Sequence, residues 1–159
     1  MLYLIGLGLD EDDVSLKAVN LLKKCSYIYY ELYTSPYSGD MDKLSKLIGK
    51  KIGLLSREKV ESDFLINESK KKIVALLVPG DPLAATTHMQ LIIDAARNKI
   101  KTEIIHSSSV FTAIAETGLQ LYKFGRTTTL AMPQKNFFPE SPYDAVADNR
   151  KLGLHTLVL

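Results

Sequence analysis

The apolar positions fall into short runs separated by stretches with helical spacing. Leu2–Ile5 is a continuous apolar run leading into Gly6-Leu7-Gly8-Leu9, which predicts a strand buried on both faces. Four acids follow, Asp10 to Asp13. Val14, Ala18, Leu21, Leu22 and Cys25 then recur at helical spacing, with Lys17, Lys23 and Lys24 between them. That pattern predicts an amphipathic helix, acidic at its start and basic at its end, as the helix dipole favours. Tyr27–Tyr30 reads as a strand, Met41–Ile48 as a helix and Lys51–Leu55 as a strand. A helix is expected over Glu58–Lys72.

Ile73–Val78 is the strongest strand signal, and Pro79-Gly80-Asp81-Pro82 ends it. Beyond it the pattern predicts a helix from Leu83 to Asn98 and a strand over Glu103–His106. Ser107-Ser108-Ser109 makes a turn or cap, and a helix starts at Val110. Thr127–Ala131 and His155–Leu159 read as strands around a helix from Tyr143 to Leu152. Strands alternating with helices predict an α/β fold with a mainly parallel sheet flanked by helices.

Composition narrows the classes. The 159 residues are 46% apolar and 24% charged, with a net charge of +2. Intrinsic disorder does not fit that apolar content. So small a basic excess argues against a nucleic-acid partner. The apolar runs fall far short of the ~20 residues of a membrane span, and no targeting segment is visible. The expectation is a cytoplasmic protein with no membrane partner. Cys25 is the one cysteine, so neither an intrachain disulfide nor a Cys-x-x-Cys metal site is available, and no other metal spacing stands out.

The candidate chemistry lies at predicted strand ends, where open α/β sheets bind ligands. Gly6-Leu7-Gly8 is either a tight turn or a place where backbone approaches a ligand. Position 11 holds Glu, where the dinucleotide fingerprint has glycine, and the acids nearby would repel a pyrophosphate. An uncharged or cationic ligand suits this turn better. Asp81 reads as a helix N-cap, with Pro82 as first helical residue, or as an acceptor for a ligand hydroxyl or amine. His88 reads as a satisfied helix-face histidine or a proton acceptor. Ser107–Ser109 cap a helix or donate to a ligand. Glu31 and Tyr33-Thr34-Ser35 close the second strand, where another site could form. Lys70, Lys71 and Lys72 read as a solvated helix end.

Six runs, in order along the chain, carry a resemblance. They are Leu2–Leu9, Glu31–Ser35, Ser56–Glu61, Gly80–His88, Tyr122–Gly125 and Gly153–Leu157. Together they resemble the diphthine synthase family of the tetrapyrrole-methylase superfamily. The resemblance implies two α/β domains, with S-adenosylmethionine in the cleft between them, and a homodimer. On it, residues 1–125 are like the amino-terminal domain and residues 126–159 like the incomplete start of a carboxyl-terminal domain. The cofactor contacts it implies are Leu9, Asp81, Ala84, Ser109, Val110 and Leu159, with S-adenosylhomocysteine as product. The implied reaction is methylation of the amino group of a modified histidine on elongation factor 2, in diphthamide biosynthesis. No covalent nucleophile is implied. His88 is the candidate proton acceptor, and carbonyls around Gly8 and Gly80 are candidates to stabilise a sulfonium. Two alternatives stand beside this reading. One is a precorrin-type tetrapyrrole methyltransferase; the other is a truncated, non-catalytic binding or dimerisation module.

Overall fold

The computed structural model describes residues 1–132 and 135–159. The chain forms two compact units, Met1–Phe111 and Thr112–Leu159.

The first unit is built on five parallel strands in the order β3-β2-β4-β1-β5. They are β1 (Leu2–Gly6), β2 (Tyr27–Tyr30), β3 (Gly53–Leu54), β4 (Val74–Val78) and β5 (Thr102–Ile105). The all-parallel order agrees with the α/β expectation. Every residue of β1 and of β4 is buried, as their unbroken apolar runs require. Alternate side chains point to opposite faces. Tyr3, Ile5, Ala75 and Leu77 face one core with helices α1 (Leu16–Leu22) and α2 (Met41–Ile48). Leu2, Leu4, Val74 and Leu76 face the other with α4 (Phe64–Ser69) and α5 (Met89–Arg97). Each fully buried leucine contributes about 1.5–3 kcal/mol. Cys25 is 1% exposed and belongs to the first core, as its place in the apolar pattern suggested.

Adjacent strands β1 and β4 therefore send their connections to opposite faces. β1 leads through α1 toward β2, while β4 leads through α5 toward β5. The carboxyl ends of two such strands are where open α/β sheets form their ligand crevice.

Several elements depart from the sequence reading. The acids at 10–13 do not open the first helix. Glu11–Asp13 form a 3-10 turn capped by Asp10, and Ser15 caps α1 by accepting from the Ala18 amide at 3.1 Å. The third strand is only two residues long. The helix expected over 58–72 is two, α3 (Arg57–Val60) and α4. Between them the Ser62 hydroxyl donates to the Lys59 carbonyl and accepts from the Phe64 amide, bonds that compete with a continuous helix. The helix expected from Leu83 starts at Met89, so Pro82 is not its first residue and Asp81 does not cap it. Asp81 Oδ1 accepts instead from the Leu83 amide at 2.9 Å, the Thr86 hydroxyl donates to the Pro82 carbonyl, and Ala85 takes a φ of +58°. Side-chain bonds hold this stretch as turns.

In the second unit, α6 (Ser141–Lys151) follows Glu140, with Pro142 in its first turn. The strands expected at 127–131 and 155–159 pair in parallel, but as isolated bridges, Phe124 with His155 and Thr128 with Val158. Buried Asn149 holds this unit together. It accepts from the Arg126 amide at 3.0 Å, donates to the Arg126 carbonyl at 2.8 Å and donates to the Thr156 hydroxyl at 2.9 Å. Among the described residues no helix is long and apolar enough to cross a membrane.

Candidate active site

The crevice begins where β1 and β4 end. Gly8 and Gly80 exchange backbone hydrogen bonds there, at 3.1 and 2.8 Å. Both have positive φ, +76° and +65°. Packing reinforces the choice of glycine. A β-carbon at Gly6 would lie 2.6 Å from the Gly80 carbonyl oxygen and 2.8 Å from the Ser107 β-carbon; one at Gly8 would lie 2.2 Å from the Asp13 β-carbon. The glycines thus let the turns after β1, β4 and β5 pack closely against one another. The pairing also engages the Gly8 and Gly80 carbonyls. Each accepts one hydrogen bond there and keeps a second lone pair.

Two carboxylates fix the turns around this pair. Asp13 Oδ2 accepts from the Leu9 amide at 2.9 Å and from the Ser108 hydroxyl at 2.6 Å, joining the turn after β1 to the turn after β5. The Ser108 hydrogen bond, with the Leu9 amide next, holds the Asp13 carboxyl below the usual aspartate range. Asp81 joins the turn after β4 to the same segment. Its Oδ2 stands 2.7 Å from His106 Nδ1 and accepts from the Ser107 amide at 3.3 Å. Of the other acids, Glu11 and Asp12 are paired with Lys43 at 3.3 and 2.9 Å.

The structure gathers several of the residues singled out in the sequence. Leu9 is 44% exposed, Val110 is 39% exposed and Ser109 is buried. A β-carbon at Gly80 would lie 3.7 Å from that of Ser109, so the second and third turns are in contact. Ala84 is half-buried, and its amide donates to the Asp81 carbonyl. Leu159 belongs to the second unit, where its amide donates to the Thr128 carbonyl and its carbonyl accepts from the Leu130 amide.

His88 belongs to another cluster of the first unit, near the end of β2. Its side chain is 1% exposed. Nε2 lies 3.8 Å from Glu31 Oε1 and 3.5 Å from the Tyr33 hydroxyl. Glu31 is fully buried. It accepts from the Tyr33 amide at 2.8 Å, the Thr34 amide at 3.1 Å and the Thr34 hydroxyl at 2.5 Å. Burial pushes the His88 pKa down, against the opposing pull of Glu31, the Pro82 carbonyl and Glu61. Burial thus favours the neutral ring, and the Glu31 carboxylate beside it is what would offset the cost of taking up a proton. Burial likewise raises the Tyr33 hydroxyl. Beside His88 opens a cavity of about 300 Å³. Asp13 and Ser108 were visible only as members of the acidic run and the serine run, and His106 only as a strand end, because each acts through a partner far away in the chain.

This architecture, with a glycine-lined crevice at the switch point of a parallel sheet, matches a known family. The family described as Tetrapyrrole (Corrin/Porphyrin) Methylases covers residues 1–159, and the chain belongs to it. Within the family, the chain is 48% identical to the diphthine synthase of Methanococcus aeolicus, over 100% of this chain and 63% of that protein. It is 47% identical to the diphthine synthase of Methanocaldococcus jannaschii, with the same coverage. A crystal structure of diphthine synthase superimposes with a TM-score of 0.91 at 37% identity, over 99% of this chain and 62% of that one. The chain spans about 63% of the length of the curated relatives it matches.

Proposed function

We propose that the chain is the amino-terminal portion of an S-adenosylmethionine-dependent methyltransferase of diphthamide biosynthesis. Its substrate is the amino group of a modified histidine on elongation factor 2. The reading is of a cytoplasmic homodimer in which the end of this chain begins a second α/β domain. The observation that carries it is the pair of glycine turns joined at the ends of β1 and β4, supported by the similarity to diphthine synthases along the whole chain.

The residues present fit the cofactor. Glycine at positions 6, 8 and 80 lets backbone line the site, and Ala84 and Ser109 are small. Leu9 and Val110 offer exposed apolar surface. Asp13 and Asp81 supply negative charge near a cationic sulfonium. Leu9, Asp81, Ala84, Ser109 and Val110 would hold the cofactor. When bound, S-adenosylmethionine supplies an electrophilic methyl group.

The chain's own task is to orient and to manage a proton. An α-amino group has a pKa of about 7.7–8.0, so much of it is neutral near pH 7 and no strong base is needed. His88 takes the proton from the amine nitrogen on Nε2, while the electron pair stays on nitrogen. The imidazolium so formed lies beside the Glu31 carboxylate. Fixing the turns through Asp13 and Asp81 limits motion of the crevice, and orientation supplies most of the rate in such a displacement.

Calorimetry with S-adenosylhomocysteine tests the reading. Binding weakened about tenfold or more by Asp81→Ala is the expected result. Unchanged affinity in that variant would refute the assigned site. For the full-length enzyme, His88→Ala should lower methyl transfer to elongation factor 2 without weakening cofactor binding.

A further inference from the structure

We propose that His106 is a positioning residue of the candidate cofactor site. Its Nδ1–H fixes the Asp81 carboxylate so that Oδ1 alone is left to accept from a bound ligand. This rests on the methyltransferase reading above, in which Asp81 touches the cofactor.

A carboxylate has about four acceptor positions, shared equally between its two oxygens. Asp81 Oδ2 stands 2.7 Å from His106 Nδ1 and accepts from the Ser107 amide at 3.3 Å, which fills it. Oδ1 accepts from the Leu83 amide at 2.9 Å and keeps one position. The ligand group suited to that position is a donor, a hydroxyl or an N–H.

The contact also fixes a proton. A carboxylate only accepts, so the short bond requires the proton on His106 Nδ1. Its length lies in the range of charge-assisted bonds, the stronger kind. The bond between Oδ2 and the Ser107 amide is the longer of the two.

The terminal torsion of aspartate is broad, so hydrogen bonds rather than rotamer wells set the plane of its carboxylate. Leu83 holds Asp81 from within its own turn, whereas His106 is the first residue after β5 and reaches it from another strand end. Without Nδ1–H, Oδ2 keeps only the Ser107 bond and the carboxylate is freer to turn. A ligand must then order it on binding, at a cost in affinity. The Asp81 side chain is 12% exposed and that of His106 is 67% exposed. Among the described residues no Lys or Arg pairs with Asp81. A mostly buried carboxylate is thus steered by a ring that is itself mostly in solvent, and an exposed partner of this kind adds little to folding.

Two measurements test this. In this chain, nitrogen-15 NMR should show the His106 ring with its proton on Nδ1, and Asp81→Ala should remove that preference. In the full-length enzyme, calorimetry with S-adenosylhomocysteine compares the variants. His106→Ala should weaken binding about fivefold, less than Asp81→Ala. His106→Asn carries N–H on an atom bonded to Cγ, as Nδ1 is, and should restore most of the affinity. His106→Gln carries its N–H one bond farther out and should bind as weakly as His106→Ala. Asp81→Asn turns its oxygen toward His106 and Ser107 and puts NH₂ in the place of Oδ1, so it should bind no better than Asp81→Ala. Denaturant midpoints of the His106 variants should stay near the native value.

A proton on Nε2 alone, native affinity in His106→Ala, or equal affinity in His106→Asn and His106→Gln would each overturn the positioning role. So would a loss of affinity matched by a fall in midpoint, which would make His106 structural. Native affinity in Asp81→Asn would overturn the assignment of Oδ1. If Asp81→Ala weakens binding and His106→Ala does not, the cofactor site stands and His106 is removed from it. If Asp81→Ala itself leaves binding unchanged, the assigned cofactor site fails, and the role of His106 fails with it.

Discussion

The Gly8 amide donates to the Gly80 carbonyl at 3.1 Å, and the Gly80 amide returns a bond to the Gly8 carbonyl at 2.8 Å. This exchange fastens the turn after β1 to the turn after β4. It makes Gly8→Ala an informative substitution, because two costs coincide there. An alanine at φ +76° is strained, and its β-carbon would overlap that of Asp13. Gly49 is the natural control, with a φ of +70° and nothing within 4 Å of a β-carbon. Gly49→Ala should lose about 1–2 kcal/mol from backbone strain alone. Gly8→Ala should lose more than about 3 kcal/mol and, in a folded remnant, cofactor binding. Urea unfolding of the two variants checks the difference; equal losses would show that packing at Gly8 adds nothing.

Asp13 makes the crevice sensitive to acid. Its carboxyl is held below the usual aspartate range by Ser108 and then by the Leu9 amide. A group with a depressed folded pKa adds stability that is present above its unfolded pKa, about 3.9, and is lost as pH falls through the folded value. Asp13→Asn should cost about 1 kcal/mol at pH 7, a modest figure because the side chain is exposed. The gap from the native protein should stay constant down to about pH 5 and close at lower pH. Unfolding curves from pH 7 to pH 2 measure it.

The same two carboxylates show where sequence reading runs out. Apolar runs revealed β1 and β4 because a central parallel strand must be apolar on both faces. The Met41–Ile48 helix was legible to the residue, since Asp40 caps its start and Gly49 takes the left-handed conformation at its end. The stretch 83–88 misled because its apolar spacing merges with that of α5, while the Asp81 and Thr86 side chains hold it in turns. Asp13 and Ser108 are 95 positions apart, and Asp81 and His106 are 25 apart. No local pattern encodes such pairs; they follow from the strand order. Glu31 was visible at a strand end, but its complete burial depends on Thr34 and His88 closing over it.

Glu31→Ala should be among the most damaging single substitutions. It leaves the Tyr33 amide, the Thr34 amide and the Thr34 hydroxyl without their acceptor in a buried place. At about 1–3 kcal/mol for each unpaired group, a loss of at least about 3 kcal/mol is expected. Glu31→Gln retains a carbonyl oxygen for the two amides, and the Thr34 hydroxyl can turn to accept from the new NH₂. Its cost should be about 1 kcal/mol. Denaturant midpoints for the two variants decide; equal costs would mean that the hydrogen bonds are not what Glu31 contributes.

Asn149 plays the corresponding part in the second unit. Its amide group donates twice and accepts once, which only Asn provides at that reach. Asn149→Asp replaces two donors by acceptors facing the Arg126 carbonyl and the Thr156 hydroxyl. It should cost more than Asn149→Ser, although serine is smaller. Gly125→Ala should be similarly harmful, since its β-carbon would lie 2.2 Å from Asn149 Oδ1. Hydrogen exchange at the Arg126, Thr128 and Leu159 amides should rise in both Asn149→Asp and Gly125→Ala. Unchanged exchange would remove Asn149 as the organiser of this pairing.

His88 gives the fold a second pH dependence, of opposite chemical origin to that of Asp13. Desolvation lowers its pKa, and it outweighs the attraction of Glu31, the Pro82 carbonyl and Glu61. The unfolded chain takes up a proton near pH 6.5 that the folded chain refuses. Stability is therefore full above pH 6.5 and falls as pH drops toward the folded value, by no more than about 1.4 kcal/mol per pH unit. His88→Gln should lower stability at pH 7 by opening the cluster, yet its loss between pH 7 and pH 5 should be smaller than that of the native chain. Parallel curves would mean that the His88 pKa is the same in the folded and unfolded chain, and a native loss smaller than that of the variant would mean that the folded ring holds its proton more tightly. Glu31→Gln sharpens the test. Without the carboxylate 3.8 Å away, the protonated ring loses its main counter-charge. The His88 pKa, followed by NMR, should fall further below its native value, and a rise would reverse the assigned balance of burial against charge.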